Sequence, residues 1–154
     1  MQPEIYIERN TEPIVVSSCL FLIPTIYSFY TKQYFYTTIL LLTFGISANY
    51  WRKATIGFRR NLDLIFSKIS FVIFIKNHIF YLYFDPSLYK NKNLSIIYYI
   101  VSYSNLFFIV YFFRLSNYYY KINDRKWMRN HMLFHLFCNL NILLIINIGN
   151  LLKV

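Results

Sequence analysis

Four side chains of the types that do chemistry stand out in this 154-residue chain. His131 and His135 lie four apart at the head of an apolar run, in the string WMRNHMLFHLF. Four residues is about one helical turn, so both imidazoles share one face. Ser47 closes an earlier apolar run, in SANYWRK, and Asp63 opens the next. Neutral imidazoles and a carboxylate suit a zinc-like ion, with a fourth position left for water. Such a metal lowers the pKa of its water to about 7 and yields a hydroxide nucleophile. Ser47 could orient that water or stabilise an oxyanion, and Asp63 could be ligand, general base or partner to a histidine. The competing reading is structural: the histidines hydrogen-bond Asp63, tyrosines or lipid phosphate, and Asp63 pairs with Arg59, Arg60 or Lys68.

The elements that must position these residues are membrane helices. The chain is 57% hydrophobic and 14% charged, with three glycines. Soluble domains carry about 25% charged residues. The apolar residues form long runs rather than amphipathic periods. The expected fold class is all-α, a polytopic helical bundle of about five spans. These cover about residues 14–30, 34–51, 64–84, 94–113 and 130–152, in a single transmembrane domain of residues 14–152. An acidic segment, residues 1–13, precedes it and lacks the basic n-region of a signal peptide. Thr11-Glu12-Pro13 offers an N-cap and an early proline to the first span, and Pro24 should kink it. Thr31-Lys32-Gln33 should make a tight connection, and Asp85-Pro86 should end the third span.

The net charge of +10 does not point to nucleic acid, because the basic residues sit between the apolar runs. With five spans, the N-terminus and the second and fourth loops share one side. That side holds Arg9, Arg52, Lys53, Arg59, Arg60, Arg114, Lys121, Arg125, Lys126 and Arg129, against Lys32, Lys90, Lys92 and Lys153 on the other. The positive-inside rule then orients the chain N-in and C-out, with anionic headgroups against the basic side. Trp51 and Trp127 read as interface anchors on that side. Lys68 and Lys76, inside the third span, read as snorkelling lysines. Cys19 and Cys138 lie within spans and imply no disulfide framework. The dominance of Phe, Tyr, Ile, Asn and Lys is what an AT-rich coding sequence produces, as in an organelle genome, a giant virus or an AT-rich protist.

Bilayer interiors hold no water, so polar stripes on the spans should face one another. The second span carries Tyr36, Thr43, Ser47 and Trp51. The third carries Asp63, Ser67, Ser70, Asn77 and Tyr81, with His78 at its border. The fourth carries Ser95, Tyr99 and Ser102, with Asn105 at its edge. On the fifth, Met128, His131, His135, Cys138, Ile142, Ile146 and Gly149 share a face, with Asn139 beside it. By topology Ser47, Asp63, His131 and His135 fall at one membrane depth, on the basic side.

The order Ser47, position 51, Asp63, His131-x-x-x-His135 resembles the CREST superfamily of alkaline ceramidases and progestin and adiponectin receptors. Those proteins have Ser-x-x-x-His at the end of one span, Asp at the start of the next and His-x-x-x-His on the last. The resemblance implies a zinc-dependent intramembrane hydrolase of lipid amides, with His131, His135 and Asp63 as ligands and Ser47 assisting. Two features depart from the pattern. Trp51, which cannot bind zinc, stands where the family places its first histidine ligand, and the chain has five spans where the family has seven. The leading expectation is therefore a non-enzymatic membrane component of an organelle or viral membrane, with no cofactor. Its partners would be lipid and other membrane subunits. The hydrolase, with zinc, is the alternative.

Overall fold

The computed structural model describes residues 5–6, 11–84 and 92–151. The fold is all-α. The helices are α1 (Glu12–Ser18), α2 (Leu22–Tyr30), α3 (Tyr34–Arg52), α4 (Phe58–Phe84), α5 (Lys92–Lys121) and α6 (Lys126–Leu151). Among the described residues the sole extended structure is a two-residue antiparallel pairing of Ile5–Tyr6 with Thr55–Ile56. The chain packs as two compact units, Met1–Phe71 and Val72–Val154, so α4 contributes to both.

In the first unit α1 and α2 form one rod, joined by a 3₁₀ turn at Cys19–Phe21. Pro24 lacks the N–H that would bond the Leu20 carbonyl, and its ring crowds that carbonyl, so the helix tightens just upstream. The rod packs on α3 through small hydroxyl residues that let the backbones approach. Ser28 and Thr37 share a hydrogen bond of 2.8 Å, and the Ser18 and Ser47 hydroxyls lie 3.4 Å apart. Thr43 on α3 bonds Ser70 on α4 at 2.7 Å. Ser17, Ser18, Thr25 and Ser28 also donate to carbonyls three or four residues back, so these hydroxyls carry no unmet donor into the interface.

Thr11 precedes α1 as expected, yet its hydroxyl does not cap the helix. It donates instead to the Trp51 carbonyl at 2.6 Å, tying the start of α1 to the end of α3. The 31–33 link is as tight as expected. Lys32 takes φ 57°, its N–H bonds the Phe29 carbonyl and the Gln33 N–H bonds the Ser28 carbonyl. This is a Schellman closure with lysine in place of the usual glycine. Gly57, at φ 152°, opens the entry to α4 with a backbone that side-chain-bearing residues rarely adopt.

In the second unit α5 and α6 run antiparallel. The 122–125 link repeats the same closure: Asn123 takes φ 57°, and the Asn123 and Asp124 amides bond the Tyr120 and Tyr119 carbonyls. Asp124 then accepts the Lys126 amide at 2.8 Å and caps α6. Aromatic contacts run along the pair: Tyr120 on Trp127 at 5.4 Å, Phe113 on Phe134 at 5.6 Å and Phe108 on Phe137 at 4.8 Å. Toward the other end Asn147 donates to the Tyr98 hydroxyl at 2.9 Å. The core is a run of isoleucines on α6, with Ile142, Ile145, Ile146 and Ile148 all buried. Tyr81 of α4 and Tyr98, Tyr99 and Leu144 pack around Ile148.

Four segments are long and apolar enough to cross a membrane: Glu12–Tyr30, Phe58–Tyr81, Ile96–Lys121 and Lys126–Asn150. The α3 helix has 19 residues, about 28 Å at 1.5 Å per residue, but its tyrosines, threonines and Asn49 leave it less apolar than those four.

Helix bounds exceed the expected spans at several ends. The first rod starts at Glu12, not 14; α4 starts at Phe58, not 64; α5 continues to Lys121, not 113; α6 starts at Lys126, not 130. The excess residues are polar, basic or tyrosine-rich. They end a hydropathic run without interrupting backbone hydrogen bonding, which stops only at the closures and caps described above. The expected stop at Asp85-Pro86 lies outside the described residues.

Candidate functional site

Ser47 sits on the last turns of α3 and Asp63 on the second turn of α4. The short link 53–57 folds these ends together, and Ser47 hydrogen-bonds the Asp63 carboxyl group. Both are buried, at 5% and 7% exposure. The Ser18 hydroxyl approaches the same point from the first rod and is held there by its own bond to the Ile14 carbonyl at 2.9 Å. A carboxyl group excluded from water therefore meets a hydroxyl donor rather than a cation. Among the described residues Asp63 makes no ion pair with Arg59, Arg60 or Lys68, and Nη1 of Arg59 is itself buried without a partner. Lys68 and Lys76 are exposed, as snorkelling side chains are.

Trp51 is half-buried and packs its ring on Tyr50 at 4.7 Å. Tyr50, at 4% exposure, takes the inward position that the stripe reading gave to Trp51. The Trp51 carbonyl is the acceptor for Thr11. A tryptophan here thus closes the first unit through its backbone and supplies no ligand atom.

His131 and His135 belong to the second unit. Their ring centroids are 4.7 Å apart at an interplanar angle of 63°, as one turn of helix dictates. His131 also touches Trp127 at 6.4 Å and Phe134 at 5.7 Å. His135 is buried, and its backbone carbonyl accepts from Asn139 at 2.7 Å. Trp127 is no exposed anchor: at 5% exposure it is held between Tyr120 and His131, and its carbonyl accepts from Ser116. The aromatic packing of the α5–α6 pair extends past the apolar run and takes the tryptophan with it. Of the four candidate residues, then, the structure pairs Ser47 with Asp63 and His131 with His135. Among the described residues, neither unit gathers three or more His, Cys, Asp or Glu side chains into a group that could hold a metal ion. Cys19 and Cys138 are free thiols.

Two sets of residues escaped the sequence reading. The first is the hydroxyl face of the first rod, Ser18, Thr25 and Ser28, whose spacing of seven and three residues is the readable signal. The second is Asn130 and Asn141 on α6, buried at 1% and 3% exposure. Asn130 donates to the Lys126 carbonyl at 2.8 Å, and the Asn141 carboxamide hydrogen-bonds the His78 imidazole. Comparison of the chain with models of known protein families, with curated proteins and with solved structures found no match.

Proposed function

We propose that this chain is a small multi-pass membrane protein acting as a non-enzymatic subunit or scaffold of an organelle or viral membrane complex. The observation that carries the reading is the outward surface of α4 and α5. In their apolar windows only 17% of residues are buried, against 39% in the first rod and 44% in α6. Large side chains such as Phe71, Val72, Ile97, Ile100, Phe107 and Phe113 point outward. Such faces suit lipid tails or the helices of a partner. Five crossings, N-in and C-out, match the charge asymmetry, with anionic headgroups on the basic side.

Two measurements test this. Alkaline carbonate treatment should leave the protein in the membrane pellet, and release into the supernatant refutes the membrane reading. Native electrophoresis after mild detergent extraction should give a band of fixed size above the monomer, and a monodisperse monomer refutes the subunit reading.

The buried Ser47–Asp63 pair favours a second reading, a divergent metal-dependent lipid amide hydrolase. Near-stoichiometric zinc that is lost in a His131→Ala/His135→Ala double variant supports it. A folded protein that takes up no added zinc refutes it.

A further inference from the structure

The α5 helix meets α6 along one seam and leaves a second face open. Phe108 and Phe112 stack on Phe137 of α6, at 4.8 and 5.4 Å. At 100° per residue, Phe107, Tyr111, Arg114 and Tyr118 fall a quarter turn or more round from that seam. All four are exposed. The Phe107 and Tyr111 rings stack at 6.1 Å and 13°, which makes a flat wall. Beside it runs a groove of about 340 Å³, lined by Phe107, Val110, Tyr111, Arg114, Leu115 and Tyr118. Arg114 supplies its only charge. The stretch from Phe107 to Arg114 is about 10 Å at 1.5 Å per residue. That lies within the roughly 15 Å that the hydrocarbon of one leaflet spans.

The charge at one end of the groove decides what suits it. Arg114 makes no ion pair among the described residues. Neither α5 nor α6 contains an Asp or Glu. The one acid between them, Asp124, already faces Lys126 at 3.9 Å. Lys121 lies two turns beyond Arg114 on the same face, and Arg125 and Arg129 follow at that end of the pair. A free anion would meet Arg114 and leave the apolar slot empty. A second copy would cover the slot but bring the same excess of positive charge, +10 per chain. A molecule with an acyl chain and a net negative head satisfies both ends. Guanidinium groups match phosphate in bidentate geometry. A zwitterionic head also offers phosphate, but its own cation is repelled by Arg114 and Lys121.

We infer that α5 carries a seat for one anionic phospholipid, its acyl chain in the 107–114 groove and its phosphate on Arg114. The inference rests on the membrane part of the proposed function and not on the subunit or hydrolase reading. Photolabelling of the full chain tests it, in phosphatidylcholine vesicles containing a minor fraction of phosphatidylglycerol. One lipid or the other carries a diazirine on its acyl chain, and adducts are mapped by mass spectrometry. The phosphatidylglycerol probe should label residues 107–118 several-fold more than the phosphatidylcholine probe. The outward Ile96, Ile97 and Ile100 should take both probes alike. Arg114 is exposed and has no ion pair among the described residues, so Arg114→Gln should keep the α5–α6 packing and abolish the preference. Equal labelling of the groove by the two probes overturns the seat, as does a preference that survives Arg114→Gln. Labelling at Ile96, Ile97 and Ile100 with none at 107–118 also overturns it and gives the groove to a protein neighbour. Absence of labelling throughout the chain overturns the membrane reading together with the seat.

Discussion

Replacing Ser47 by alanine removes one oxygen atom from the most enclosed polar contact of the first unit, and its consequence can be worked from the neighbours. Ser47 touches two groups, the Asp63 carboxyl and the Ser18 hydroxyl. The Ser18 contact is long, at 3.4 Å, and Ser18 keeps its 2.9 Å bond to the Ile14 carbonyl, so little is lost there. Asp63 is different. It is buried and has no ion pair among the described residues, so the lost donor is not replaced by water or by a cation. A hydrogen bond to a charged group contributes about 1.5–3 kcal/mol, and one to a neutral group about 1 kcal/mol. Ser47→Ala should therefore destabilise the first unit by about 1.5–3 kcal/mol if Asp63 is ionised. That is roughly a 10- to 150-fold change in the unfolding equilibrium. The assay is reversible unfolding in mixed micelles, run as a double-mutant cycle with Asp63→Asn. A coupling energy indistinguishable from zero, or a Ser18→Ala effect as large as that of Ser47→Ala, refutes the assignment of Asp63 to Ser47.

Three further outcomes are expected. Thr11→Val should remove the tie between the start of α1 and the Trp51 carbonyl, lowering stability by about 1 kcal/mol; faster amide exchange in the first turn of α1, with α6 unaffected, is the readout. Asn123→Val places a β-branched residue at φ 57° and should destabilise the α5–α6 pair by at least about 1–2 kcal/mol, whereas Asn123→Gly should be near neutral; equal midpoints for the two variants in a thermal melt contradict the closure. Ile146→Ala, at a position with 0% exposure, should be destabilising by about 2–5 kcal/mol, while Ile100→Ala on the outward face should change the same unfolding midpoint by far less.

Much of this architecture is legible before any coordinates. The apolar runs locate the helices, and Thr31-Lys32-Gln33 foretells the tight link. The Ser47–Asp63 meeting is legible too, since one closes a helix and the other opens the next across a short link. What escapes is set by interactions that composition does not record. Hydropathy marks where side chains tolerate water, whereas a helix ends where its carbonyls find other donors, so α4, α5 and α6 run past the apolar runs. Thr11 sits where an N-cap belongs, but a carbonyl forty residues away competes for its hydroxyl and wins. Trp51 and Tyr50 are adjacent, and which one turns inward depends on the rod packed against them. Trp127 reads as an amphipathic anchor until Tyr120 and Ser116 are found to enclose it.

The links at 31–33 and 122–125 bear on how the chain is made. Neither is long enough to let one neighbour reverse its direction while the other stays, so in a bilayer the helices they join would insert as a pair with opposed headings. Insertion would then proceed by hairpins rather than by single segments. The marginal polarity of α3 would then be no handicap, because its partner could carry it across. Lengthening the 31–33 link should release α3 to choose its own side, with no side chain in either helix altered.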